Sequence, residues 1–207
     1  MLAQRLASPF SFRNLPALLM MAILLPLLAG CGYNTIPTAE ENAKAAWSQV
    51  LNQYQRRADL IPNLVETVKG YAAHEKDTLD AVVEARAKAT QVTVTPETLS
   101  DPEALKKFQD SQAGLTSALS RLLAVSEAYP DLKANQNFLA LQSQLEGTEN
   151  RIAVARRDFI LAVQKYNTEI RTFPGRLWHS VLYSDLPIRE TFEATSPNAE
   201  KAPEVKF

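Results

Sequence analysis

The chain is 207 residues long, 46% hydrophobic and 22% charged, which suits one globular domain and leaves little room for two. Residues 1–30 hold two of its 22 basic residues, Arg5 and Arg13, and no acid, so the remainder carries 20 bases against 23 acids, a balance of −3. Such a balance gives no concentrated basic face and argues against nucleic acid as a partner. Cys31 is the only cysteine, which excludes an intrachain disulfide and a thiolate metal cluster.

Arg5 and Arg13 precede an apolar run from Leu15 to Gly30, interrupted by Pro16 and Pro26. About sixteen residues fall short of the roughly 20 that span a bilayer as helix, and fit the apolar core of a secretory signal. Leu28-Ala29-Gly30-Cys31 then resembles a bacterial lipobox. Residues 1–30 are therefore read as a lipoprotein signal cleaved between Gly30 and Cys31, with Cys31 acylated by palmitate-type chains as the membrane attachment. The alternative is an uncleaved signal anchor, a transmembrane helix at the same place. Either way the basic end stays cytoplasmic and the rest faces outward. Gly32, where an Asp would favour retention at the inner membrane, favours the outer membrane.

Residues 31–38 read as a tether. Thr38-Ala39-Glu40-Glu41 has the form of a capping box, so a helix is predicted from residue 39. Apolar or small residues follow at Trp47, Leu51, Tyr54, Ala58, Ile61, Val65, Val68 and Ala72, the alternating steps of a heptad seam. Pro62 keeps that phase, and Gly70 offers a break, so residues 39–90 can form one kinked helix or two. Leu79, Val82, Val83 and Ala87 continue a stripe. A Thr-rich loop with Pro96 separates it from Ser100-Asp101-Pro102-Glu103, a helix start with proline in the first turn. Leu105, Phe108, Leu115, Leu119, Leu122 and Leu123 mark the next buried stripe, stopped at Tyr129-Pro130. The longest seam runs through Leu141, Leu145, Thr148, Ile152, Ala155, Phe159, Ala162, Tyr166, Ile170 and Phe173 to Pro174-Gly175. With no sustained period-2 alternation, the expected fold is all-α: an antiparallel four-helix bundle with coiled-coil-like seams over residues 39–173. Residues 174–207 form a tail, packed on the bundle to about residue 194 and disordered from Ser196, where Pro, Lys and Glu accumulate.

Several strings are more specific than periodicity. Ala46-Trp47-Ser48-Gln49-Val50, the run Gln55 to Val65, Val68-Lys69-Gly70-Tyr71, His74-Glu75, Ala85-Arg86-Ala87, Glu149-Asn150-Arg151-Ile152, Ala155-Arg156-Arg157-Asp158-Phe159, Tyr166-Asn167 and Phe173-Pro174 together resemble the LemA family. The resemblance covers roughly residues 33–194. It implies a membrane-attached four-helix bundle. Many members carry an N-terminal transmembrane helix, where this chain offers a lipobox. Trp178-His179 stand where small or aliphatic residues are usual. Relatives are often encoded near membrane proteases and other envelope proteins, and one branch works in magnetosome biogenesis. The implied partners are therefore envelope proteins, membrane proteases among them, and the implied role is scaffold or adaptor.

Catalytic chemistry finds little support. His74-Glu75 starts a zinc-protease motif, but its second histidine would stand at position 78, which is Thr78. The other histidine, His179, is remote in sequence, so a periplasmic metal-dependent enzyme is the lesser alternative. Ser120 and Ser126 have no histidine at a recognisable spacing. Glu146, Glu149 and Asp158 lie near arginines on a helix and are read as ion-pair partners. No catalytic residue, metal site or cofactor is expected. The polar residues of the family strings, Arg56, Arg57, Asp59, Asn63, Arg86, Asn150, Arg151, Arg157, Asp158 and Asn167, fall off the seams. They are read as either register-fixing pairs between helices or a docking surface. Arg56 and Arg57, about 100° apart on a helix, cannot both serve one pair. Arg151 and Asp158, two turns apart, are each expected to find a partner on a neighbouring helix.

Overall fold

The computed structural model describes residues 32–192, with Met20 alone ahead of them. The signal segment, the Gly30–Cys31 junction and the tail beyond Phe192 lie outside the described residues. Six helices follow in order: α1 Thr35–Lys69, α2 Lys76–Gln91, α3 Pro102–Val125, α4 Pro130–Lys133, α5 Gln136–Arg171 and α6 Gly175–Leu182. Short 3-10 turns at Glu97–Ser100 and Ser126–Ala128 complete them, and the described residues contain no strand. The fold is all-α.

The two longest helices, of 35 and 36 residues, are each about 50 Å long and pair along their length. They run antiparallel: Ile36 clusters with Tyr166 and Ile170, the Trp47 and Phe159 rings lie 5.1 Å apart, and Arg57 meets Glu149. Helices α2 and α3 pack on each other and α2 on α1, closing an up-down-up-down bundle of α1, α2, α3 and α5. Asp101 caps α3 by accepting from the Glu103 and Ala104 N–H groups, with Pro102 opening the first turn. Asn135 caps α5 by accepting from Phe138 N. Residues 39–90 form two helices: α1 runs through the exposed Pro62 to Lys69, and the chain turns at residues 70–75.

Three expectations need correction. Thr38 is not a cap, because α1 begins at Thr35, inside the stretch read as tether; the Thr38 N–H already donates to Asn34 O. Pro37 lies in the first turn, where an N–H would have no partner in any case. Burial drives the earlier start, since Ile36, Ala39 and Glu40 are all covered by later parts of the chain. Phe173 ends no seam: it is 85% exposed. Val83 and Ala87 face solvent, whereas Ala89 is buried, and Val163 rather than Ala162 is fully buried in α5.

The core divides into three apolar layers stacked along the α1–α5 axis. The layer farthest from the chain's entry joins Ile61, Leu64 and Val68 to Leu79, Val82, Leu115, Leu122, Leu132, Phe138 and Leu145. The middle one is aromatic: Trp47, Tyr54, Phe108, Phe159 and Phe192 meet with ring centroids 5.1–5.8 Å apart, in the tilted or edge-to-face arrangements that such rings prefer. The third, nearest residue 32, holds Ile36, Ala39, Tyr166 and Ile170 under Trp178, Tyr183 and Leu186. Gly175 turns the chain back onto it. A Cβ there would collide with the Glu169 carbonyl oxygen, so only glycine permits the close approach of α6 to the end of α5.

Ile152, 3% exposed in the middle layer, tests this packing. Ile152→Asp would bury a carboxylate with no partner and should lower unfolding free energy by roughly 3–5 kcal/mol or abolish folding. Chemical denaturation followed by circular dichroism measures it; an Asp tolerated there would mean that the face of α5 is misassigned.

Candidate functional site

The polar residues of the sequence strings separate into an inner and an outer set. Arg57 is the correction to their expected position off the core, for it is only 2% exposed. Helix α1 packs on both α5 and α2, so it buries a wider face than one heptad seam and position 57 falls within it. Its neighbour Arg56 reaches solvent, as the step between adjacent helical residues requires.

Arg57 sits between the far and middle layers and ties three helices. Its Nη1 donates to Glu149 Oε2 at 2.9 Å and to Thr116 Oγ1 at 3.0 Å, and its Nη2 donates to Gln112 Oε1 at 2.7 Å. Gln112, also buried, donates onward to Ala89 O at the end of α2, while Arg86 of α2 donates to Ala58 O on α1. The guanidinium also lies over the Tyr54 ring, 5.1 Å from its centroid. Burial raises the Tyr54 phenol above its ordinary value against the opposing pull of Arg156 and Arg57, so it stays neutral. Cavities of about 340 and 150 Å³ flank Arg57 between α3 and α5.

A second polar node, which the sequence reading missed, separates the middle layer from the one nearest residue 32. Arg189, 7% exposed, donates through Nη2 to Glu40 Oε1 at 2.8 Å and through Nη1 to Pro96 O at 2.8 Å and Ser100 Oγ at 3.3 Å. Asn167 grips the same residue by its backbone, donating to Arg189 O and accepting from Arg189 N. Tyr166 donates to Pro187 O, and Phe192 closes the middle layer under the Arg156 guanidinium. The tail is thus a strap over α1 and α5. Only the run of apolar residues after 174 hinted at it; nothing in the spacing links position 189 to position 40.

The outer set lies on the surface. Asp59 accepts from Gln55, Asn63 is exposed, and Arg157 pairs with its own neighbour Asp158 at 3.1 Å. Among the described residues Asp158 takes no partner from a neighbouring helix and Arg151 forms no ion pair, contrary to expectation; both side chains are exposed. They converge instead on a shallow groove of about 400 Å³ between α1 and α5, where Asn150, Arg151 and Asp158 face Gln49 and Gln53 across an apolar floor. Val154 in that floor is 48% exposed, and the Gln53 Oε1 atom is buried without a hydrogen-bond partner. Arg56 follows Gln53 by one helical turn on the same stripe.

The groups considered for catalysis are apart and otherwise engaged. Exposed His74 precedes Glu75, which accepts from Tyr129, and His179 contacts Leu186 O through Nε2 at 2.9 Å. Ser120 and Ser126 donate to helix carbonyls, Glu146 accepts from Gln142, and Glu149 pairs with Arg57. Among the described residues no three His, Cys, Asp or Glu side chains could share a metal ion, and no helix is long and apolar enough to cross a membrane.

Fold and site define a helical bundle with two buried arginine nodes and a polar groove on its outer face. The family model described as the LemA family matches residues 46–207, and the chain belongs to that family. Similar proteins include "Magnetosome protein MamQ 2" of Paramagnetospirillum magneticum, 28% identical over 158 residues, covering 69% of this chain and 58% of that protein. "Magnetosome protein MamQ" of Magnetospirillum gryphiswaldense is 28% identical over 189 residues, covering 81% and 70%. "Protein LemA" of Metamycoplasma hominis is 25% identical over 140 residues, covering 68% and 60%. The match thus spans under two thirds of two of these three relatives.

The Arg57 node separates a structural from a surface role. Arg57→Ala leaves the Gln112 Oε1 without its donor and a void between two layers, and should cost about 2–4 kcal/mol in denaturation. Glu149→Gln should cost less, about 1–2 kcal/mol, because that side chain is 53% exposed and a glutamine oxygen still accepts from the buried guanidinium. Equal losses would mean that the ion pair, not the buried network, holds the three helices.

Proposed function

We propose that this chain is a non-catalytic scaffold or adaptor of the bacterial cell envelope, a lipoprotein attached through acylated Cys31 with its bundle on the extracytoplasmic side. The observation that carries the adaptor reading is the convergence of Asn150, Arg151 and Asp158 on the α1–α5 groove, beside an exposed apolar floor. Residues that served only to hold helices together would have their hydrogen bonds made inside the bundle, as those of Asn167 and of both Nη atoms of Arg57 are. The Asn150 and Arg151 side chains instead make no hydrogen bond or ion pair among the described residues and are available to an envelope protein, for which membrane proteases are candidates by family association. Two of the relatives are named as magnetosome proteins, and a magnetosome is bounded by membrane, which supports a membrane-attached role. Gly32 after Cys31 favours the outer membrane.

Arg151→Glu tests the groove. It should change unfolding free energy by less than about 0.5 kcal/mol, as exposed substitutions do, yet remove the protein's crosslinks to its neighbours in intact cells. Crosslinks unchanged in that variant would leave the groove without a docking role.

Attachment is tested separately. Cys31→Ser should block lipid labelling and signal removal, so that the slower-migrating precursor accumulates. An unaltered mobility with normal membrane fractionation would instead identify residues 15–30 as a permanent anchor helix.

A further inference from the structure

The end of the bundle at which the chain enters carries an apolar surface that the fold does not use. Phe173 is 85% exposed, and Leu177 and Val181, one turn apart on α6, are 51% and 67% exposed; Leu182 adds a further 47%. About 100° around α6 from Leu177, Trp178 packs on the third layer. A helix anchored by one side chain that presents an adjoining apolar stripe to solvent has a second contact to make.

Two observations say what covers it. The first is position. Gly32, at φ +102°, lies against α6 so closely that a Cβ on it would stand 3.4 Å from Pro174 Cγ and 3.8 Å from Trp178 Nε1. Tyr33 then stacks against Trp178 and Tyr183, with centroids 6.1 and 6.3 Å apart, and accepts through its carbonyl from the Tyr183 hydroxyl at 3.3 Å. Position 31 is one residue, about 4 Å, from Gly32. Whatever attaches that position to a membrane holds α6 beside it. The second observation is charge. From Arg171 to Ser184 the chain has two arginines, Arg171 and Arg176, both exposed, and no acid before the exposed Asp185, which lies beyond α6. The far end of the bundle exposes His74, Asp77, Asp131 and Lys133 instead, a mixed polar surface.

We propose that α6, with Phe173 ahead of it, lies in the headgroup region of a phospholipid bilayer and is a second membrane contact of the bundle. Leu177, Val181 and Phe173 enter the acyl boundary, Arg171 and Arg176 meet anionic headgroups, and the Tyr33–Trp178–Tyr183 cluster sits at the polar–apolar level where such rings collect. Eight helical residues bind a membrane weakly alone. Attached at position 31, they meet it at high effective concentration, and together the two contacts fix which end of the bundle faces the bilayer. This inference rests on the reading that the segment before Gly32 enters a membrane.

The test uses the full chain bound to vesicles of phosphatidylcholine and phosphatidylglycerol, with photo-crosslinking benzoylphenylalanine placed at Val181 or, as a control, at the exposed Val83 on α2. Flotation with the vesicles reports attachment, and lipid adducts report contact. The expected result is at least about tenfold more lipid adduct at Val181 than at Val83, cut several-fold by Leu177→Asp while flotation and melting temperature hold. Flotation with equal adducts at both positions overturns the contact and leaves the attachment standing. Adducts at Val181 to a second copy or another protein overturn it too, since the patch would then be a protein interface. Loss of flotation in the unaltered chain refutes the attachment and the inference with it.

Discussion

Arg57 places a guanidinium where α1, α3 and α5 meet, and a cation buried that deeply is tolerated only where hydrogen bonds replace its lost water. The consequence is positional. Glu149, Gln112 and Thr116 must each arrive at one place, so sliding any of the three helices by a turn would strand a buried charge. Gln112 extends the constraint to the end of α2 through Ala89 O. Leucines and valines tolerate many registers; a fork of five donors tolerates few. The apolar layers on either side supply the drive to collapse, and the arginine selects the alignment in which they collapse.

Arg189 repeats the arrangement one layer along. Its guanidinium joins the first turns of α1 to the loop before α3, while Asn167 holds its backbone to α5. The strap it anchors carries Phe192 into the aromatic layer, where the Trp47 indole N–H is satisfied by Val94 O. Residues near both ends of the described chain are thereby fixed to the same point. A bundle stitched from inside by two arginines can give its outer polar residues to other purposes, and the α1–α5 groove is where they gather. At the end nearest residue 32 the same economy holds: α6 is fastened by Gly175, Trp178 and His179, which frees Leu177 and Val181 to face outward.

The helical periods, the helix start at Ser100-Asp101-Pro102-Glu103, the break near Gly70 and the resemblance to the family were all legible in the sequence, because each depends on residues within a few positions of one another. So was the divergence of Arg56 and Arg57, which follows from the helical step alone. Errors arose where a local signal met a distant partner. Thr38-Ala39-Glu40-Glu41 reads as a cap, yet Glu40 is held by a residue 149 positions later and Ile36 is covered by α5, so the helix starts earlier. Phe173 continues a heptad on paper but lies in the turn between α5 and α6.

What the sequence determined by itself was therefore the set of helices, their apolar faces and their family, since periodicity and capping are short-range properties of the chain. Only the tertiary structure decided which polar residues are inside. Arg57 and Arg151 are both arginines on helices beside apolar positions, and no local feature separates them. One falls where α1 is covered from two sides and the other where α5 is covered from one. That difference is a matter of how many neighbours surround a helix face, and it exists only once the helices have packed.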